Sequence, residues 1–216
     1  RDFGQIVDAV QKKKKFAMMT GLMPTGKFHL GHMIVAQQII FYQKLGADVY
    51  VAVADVEAYN SRGLSLEEGR KIAIEEYLLN YIALGLNPSK TKFYFQSEGS
   101  KDYTNLSRFV AGKTTFNELK SVYGELTPQK IVSSFVQFAD ILHPQLKENG
   151  GPKPVVVPVG VDQLPHANLC RDLAGRMKEN KFVLPSFIFT KLAPSLKGIN
   201  TKMSSSNPET AIFLTD

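Results

Sequence analysis

The chain has 216 residues, 44% of them hydrophobic and 21% charged, which is enough for one substantial core and too apolar for disorder. No run nears the roughly eighteen apolar residues of a membrane helix, and residues 1–15 lack the apolar core of a signal peptide, so a cytoplasmic protein without membrane contact is expected. The single cysteine, Cys170, excludes an internal disulfide and argues against a structural metal site, while the net charge of +6 permits a polyanionic partner without requiring one.

In chain order, residues 12–15 are four lysines that read as a solvated helix end. Residues 16–22, 49–54, 92–95 and 155–159 are short apolar runs, mostly bounded by Gly, Pro, Asp or Ser, and read as buried parallel strands. Helices are predicted between them. One covers 30–45 and stops at Gly46; one starts from Ser65 as N-cap and stops near Gly85; one starts at Thr127–Pro128 and runs to 142; one covers 164–177. The alternation predicts an α/β fold, a Rossmann-type parallel sheet with helices on both faces, with ligands at the carboxyl ends of the strands. Residues 101–126 break the rhythm and read as a helical insertion between the two sheet halves. The lack of an initiator Met and the end at Asp216 make a segment of a longer protein the expectation.

The chemistry-bearing feature is a pair of motifs. His29-Leu-Gly-His32 follows the first strand at a predicted helix start, and Lys202-Met-Ser-Ser-Ser206 follows about 170 residues later. A helix start directs free backbone N–H groups at an anion. Two histidines three apart share a face and can donate to phosphate oxygens, Gly31 leaves room for a base, and the Thr25 hydroxyl adds a donor. Residues 198–207 read as a polar, flexible loop whose Lys202, Ser204 and Ser205 suit a triphosphate. Residues 21–28 come within one residue of a phosphate-binding P-loop. That reading fails because Phe28 stands where Ser or Thr must hold Mg²⁺, and because Pro24 removes an N–H. A metal site on His29 and His32 lacks a third ligand at recognisable spacing. Gln137 and Asp140, three apart on an otherwise apolar helix, form a polar patch able to accept from an indole N–H or a phenol O–H.

In these motifs the chain resembles the class I aminoacyl-tRNA synthetases, whose signatures are HIGH and KMSKS; Ser205 stands where the second lysine of KMSKS falls. Pro158-Val-Gly-Val-Asp-Gln163, Ala139-Asp-Ile-Leu142 and the stretch from Pro208 to Asp216 are most similar to the archaeal and eukaryotic tryptophanyl type, with the tyrosyl type as the alternative. The resemblance implies ATP as substrate with Mg²⁺, and tryptophan, tRNA(Trp) and a second copy of the chain as partners. It also implies an anticodon-binding domain that this segment lacks. It puts His29, His32, Lys202 and Ser204 in catalysis and Thr25, Gly31, Gly160, Asp162, Met203 and Ser205 on ATP, with no metal ligand. Met19, Glu57, Gln137, Asp140 and Gln163 go to the amino acid. Met19 departs from the aromatic residue usual at its position and can still pack its sulfur on a ring. Whether Asp140 or Glu57 meets the substrate side chain stays open, as do a non-catalytic synthetase-like module and a nucleotidyltransferase sharing the H-x-G-H motif.

Overall fold

The computed structural model describes residues 2–191, 193–205 and 207–214, with the side chains of Ile199, Asn200 and Lys202 outside that description. Five parallel strands form one sheet: β1 (Ala17–Leu22), β2 (Asp48–Val53), β3 (Thr91–Phe95), β4 (Val155–Gly160) and β5 (Ser186–Thr190), in the order β3-β2-β1-β4-β5. The four predicted strands are β1 to β4. β5 was not anticipated, because Ser186–Thr190 follows Pro185 as a short run with a half-exposed face and no strong apolar signal.

Alternation along each strand builds two cores. Ala17, Met19, Tyr50, Ala52, Val155 and Val157 face one layer, made by α6 (Lys101–Lys113), α7 (Phe116–Tyr123), α8 (Pro128–Leu142) and α9 (Leu164–Arg176). Met18, Val49, Val51, Val53 and Val156 face the other. There they meet α1 (Gly4–Gln11), α2 (Leu30–Lys44) and the helical rod formed by α4 (Leu66–Ile72), a π-helical turn (Ala73–Leu78) and α5 (Leu79–Ala83). The Rossmann-type sheet with helices on both faces is therefore observed. Cys170 is a buried apolar residue of α9, and Lys12 and Lys14 pair with Asp8 at the end of α1.

Capping places the helices. Ser65 accepts from the Glu68 N–H while Glu68 accepts from the Ser65 N–H, and Thr127 caps α8 ahead of Pro128. The predicted helix from Ser65 is interrupted by the π turn, and a short helix, α3 (Asp55–Arg62), stands before it.

Two details position the site. β1 pairs with β2 over its whole length but with β4 only at Ala17–Val155 and Met18–Val156. The carboxyl ends of β1 and β4 therefore part, at the point where the strand order reverses. Residues 198–202, expected as loop, form strand β7 (Gly198–Lys202), antiparallel to β6 (Pro194–Ser195). Gly198, with φ +137°, makes the tight return that turns this polar stretch into a hairpin.

Candidate active site

The loop after β1 delivers His29 as N-cap of α2 in extended backbone. Phe28 before it is 2% exposed and packs edge-on against Tyr77 and Tyr81, so this position serves the core and cannot hold a cation. The rings of His29 and His32 stack with centroids 3.7 Å apart. The His29 backbone N–H donates to His32 Nδ1 at 3.2 Å, which leaves the proton of a neutral His32 on Nε2. Burial, then the neighbouring His29, pushes His32 down to about 3, and burial lowers His29 as well. At neutral pH both rings are uncharged N–H donors. Gly31 has a reason beyond room for a base: a Cβ there would lie 2.8 Å from Cε1 of the His29 ring.

The hairpin brings the second motif to the first. Met203 N–H donates to the Ala193 carbonyl, and the Ser204 N–H donates to Thr210 Oγ1. Ser205 Oγ donates to the Lys27 carbonyl at 3.0 Å, and its Cβ lies 3.1 Å from where a Cβ of Gly26 would stand. Beyond the loop, Leu30 N–H donates to the Ile212 carbonyl and Leu214 N–H to the Phe28 carbonyl, with His29 bridging Phe213. The expected catalytic side chain of Lys202 lies outside the described residues, as does Ser206; the Lys202 backbone is in β7, opposite Pro194.

A cavity of about 260 Å³ opens between the motifs, walled by His29, Gly31 and His32, by Pro158–Gly160 of β4, by Thr190 and Lys191 after β5, and by Met203. Val35, Pro158, Val159 and Gly160 also wall a second cavity of about 470 Å³ at the parted ends of β1 and β4. It collects Met19, Glu57, Gln137, Asp140 and Gln163, all five residues expected to hold the amino acid. Thr25, Asp162, Ser204 and Ser205 line neither cavity. Asp162 instead accepts from Gln163 Nε2 at 3.1 Å, and Thr25 and Ser205 lie near the Tyr77 hydroxyl, which has no well-formed hydrogen bond.

The two open carboxylates differ. Asp140, 4% exposed, accepts from Tyr94 Oη (2.9 Å) and Tyr103 Oη (2.7 Å) on Oδ1, and from Gln96 Nε2 (2.7 Å) on Oδ2. Burial raises it to about 7 against the pull of those three donors. Its charge requirement is met inside the protein. Burial also raises Glu57, and its carboxylate accepts no hydrogen bond among the described residues. Gln137 Oε1 accepts from Tyr123 Oη at 3.2 Å. Gln96, Tyr94, Tyr103, Tyr77 and Lys191 were not anticipated as site residues. Their partners lie far away in sequence, and only the placement of Gln96 and Lys191 just after strands could have flagged them. Among the described residues no three His, Cys, Asp or Glu side chains converge in a group that could hold a metal ion.

Stacked neutral histidines at a helix start and a serine hairpin thus flank a cleft at the switch point of a parallel sheet, the place where α/β folds of this kind bind their ligands. Residues 11–216 match the family model of tRNA synthetases class I (W and Y), and the chain belongs to that family. It is 49% identical to the tryptophan–tRNA ligase of Aeropyrum pernix and 48% identical to that of Methanocaldococcus jannaschii, over its whole length in both cases. It spans 58% and 59% of those relatives. The crystal structure of tryptophanyl-tRNA synthetase from Aeropyrum pernix superposes on the whole chain with a TM-score of 0.96, covering 59% of that structure. Tyrosyl-tRNA synthetase from the same organism superposes on 94% of the chain at 0.77, with 26% identity, and 59% of it is covered.

Proposed function

We propose that this chain is the activating portion of a tryptophan–tRNA ligase: it joins tryptophan to ATP as tryptophanyl-adenylate, and the full-length protein passes the tryptophanyl group to tRNA(Trp). The observation that carries the choice of amino acid is the contrast within one organism. Similarity to the Aeropyrum pernix tryptophanyl enzyme is 49% over the whole chain, against 26% for the tyrosyl enzyme.

The cleft fits the chemistry. A carboxylate oxygen of tryptophan, lying in the larger cavity, attacks the α-phosphorus of ATP, lying in the smaller one; the bond from α-phosphorus to the bridging oxygen breaks, and pyrophosphate leaves with that electron pair. No group of the protein is covalently modified. His29 and His32 donate as neutral imidazoles to phosphate oxygens from fixed positions, which avoids reorganisation as charge moves. Gly160 and Asp162 face the ribose, and Met203 and the Gly31 backbone flank the base. Lys202, Ser204, Ser205 and Thr25 meet the triphosphate as the hairpin closes. Met19, Glu57, Gln137, Asp140 and Gln163 surround the amino acid. Mg²⁺ accompanying ATP would supply charge neutralisation at the phosphates. A homodimer, a following anticodon-binding domain and a cytoplasmic setting complete the reading; no helix among the described residues is long and apolar enough to cross a membrane.

ATP–pyrophosphate exchange by the full-length protein, run with tryptophan and tyrosine side by side, tests this. Exchange stimulated by tryptophan is expected. Stimulation by tyrosine alone overturns the amino-acid assignment, and by neither overturns activation.

A further inference from the structure

Of the polar side chains walling the larger cavity, Gln96 is the one with a fully buried atom that has no partner among the described residues. It lies at the carboxyl end of β3, 8% exposed, and the atom is its Oε1. Its orientation is not free. Nε2 donates to Asp140 Oδ2 at 2.7 Å, and with Asp140 ionised, turning the amide over would press two acceptor oxygens together at that distance. Asp140 is held in turn by Tyr94 and Tyr103. The backbone is fixed from the other side, because Ser97 donates through its N–H (3.2 Å) and its hydroxyl to Asp55 at the end of β2. Tyrosines, carboxylate and strand end together fix the amide of a residue that walls the cavity, with its carbonyl oxygen buried just behind the surface.

The other candidates are already engaged or ill suited. Asp140 has three donors, and Gln137 Oε1 has Tyr123. Glu57 also walls a neighbouring cavity with Asn60, Ser61 and Lys130, and so is shared between two cavities. A buried, unpaired amide oxygen is costly, and a ligand that brings a donor to full depth relieves that cost.

We infer that Gln96 Oε1 accepts the ring N–H of the substrate, and that Asp140 is a positioning residue that holds the Gln96 amide in the accepting orientation without itself bonding the ring. This rests on the tryptophan reading above. It answers which of two carboxylates meets the indole: neither does. It also accounts for selection by hydrogen bonding as well as size, since a ring of the same shape without an N–H leaves Oε1 unpaired.

The test compares tryptophan with its benzothienyl analogue, in which sulfur replaces the indole N–H, in ATP–pyrophosphate exchange by the full-length protein. The unmodified protein is expected to prefer tryptophan by roughly ten- to hundredfold in kcat/KM. In Gln96→Met that preference should fall to near unity, chiefly through a higher KM for tryptophan, with the KM for ATP unchanged. A preference that survives in Gln96→Met overturns the assignment, and so does an equal loss for both amino acids, which marks a merely structural role. Should Gln96→Met not fold, a crystal structure of the unmodified protein with tryptophan decides. The indole nitrogen within hydrogen-bond reach of Gln96 Oε1 supports the assignment; nitrogen on Asp140 or Glu57 overturns it. No exchange with tryptophan in the unmodified protein is a separate result that removes the underlying reading and this assignment together.

Discussion

The two ends of the cleft are built on opposite plans. At the end proposed for the nucleotide, the polar groups come from two short stretches of sequence, and the histidines are driven neutral by burial, with His29 adding to the effect on His32. At the amino-acid end they come from β1, α3, α8 and the turns after β3 and β4, and the central group is a carboxylate kept close to neutrality while three donors converge on it. Phosphate looks much the same in every nucleotide, so a local motif can hold it. An aromatic side chain differs from its neighbours by one polar atom, and distinguishing it takes a network whose members fix one another.

The comparison breaks most visibly at the hairpin. Lys202→Ala should lower the rate of tryptophan-dependent exchange by about 10²–10³ while tryptophan affinity by equilibrium dialysis stays within a few-fold, since the lost interaction belongs to the transferring phosphates. Equal losses in both would mean that the ends are not separable. Gly31→Ala comes next. Its Cβ meets the His29 ring at 2.8 Å and must displace it, so a fall of about tenfold or more in exchange is expected, again with tryptophan binding nearly intact.

The buried titratable groups also respond to pH with opposite sign. His32, lowered to about 3, and His143, lowered to about 4 by burial, bind fewer protons folded than unfolded. Their contribution to stability is present above the ordinary histidine value and lost as pH falls. Asp140, raised to about 7, binds more protons folded. Its contribution is full below the ordinary aspartate value of 3.8 and lost as pH rises through about 7. Between pH 7 and 4 the two effects oppose. Melting temperature followed over that window should therefore drop more steeply in Asp140→Asn than in the unmodified protein; a parallel curve would mean that Asp140 carries no such load. The smallest effect is expected where the motifs touch. Tyr77→Phe removes a hydroxyl that faces Thr25 and Ser205 without a formed bond, and should cost no more than about fivefold in exchange at saturating tryptophan.

What could be read from the sequence follows the same division. The strands β1 to β4, the caps at Ser65 and Thr127, and both motifs are contiguous signals, and the exclusion of a P-loop at Phe28 agrees with its place in the core. The hairpin was hidden because its pairing rests on a two-residue partner, Pro194–Ser195, and on the backbone freedom of Gly198. Asp140 was visible as a polar residue on an apolar helix, but not its three donors, which lie 37 to 46 residues away on other elements. Gln96 carries no local mark beyond its place just after a strand. A glutamine after a strand is ordinary until the fold leaves one of its two amide atoms unmatched.

The short ladder joining Phe28, His29 and Leu30 to residues 212–214 turns the second motif into a handle fastened at both ends, by the β6–β7 hairpin on one side and by the first motif's own backbone on the other. Parts of the chain separated by more than 170 positions thus meet at a high effective concentration before any nucleotide arrives, and the search that closes them around a triphosphate is that of a short tether.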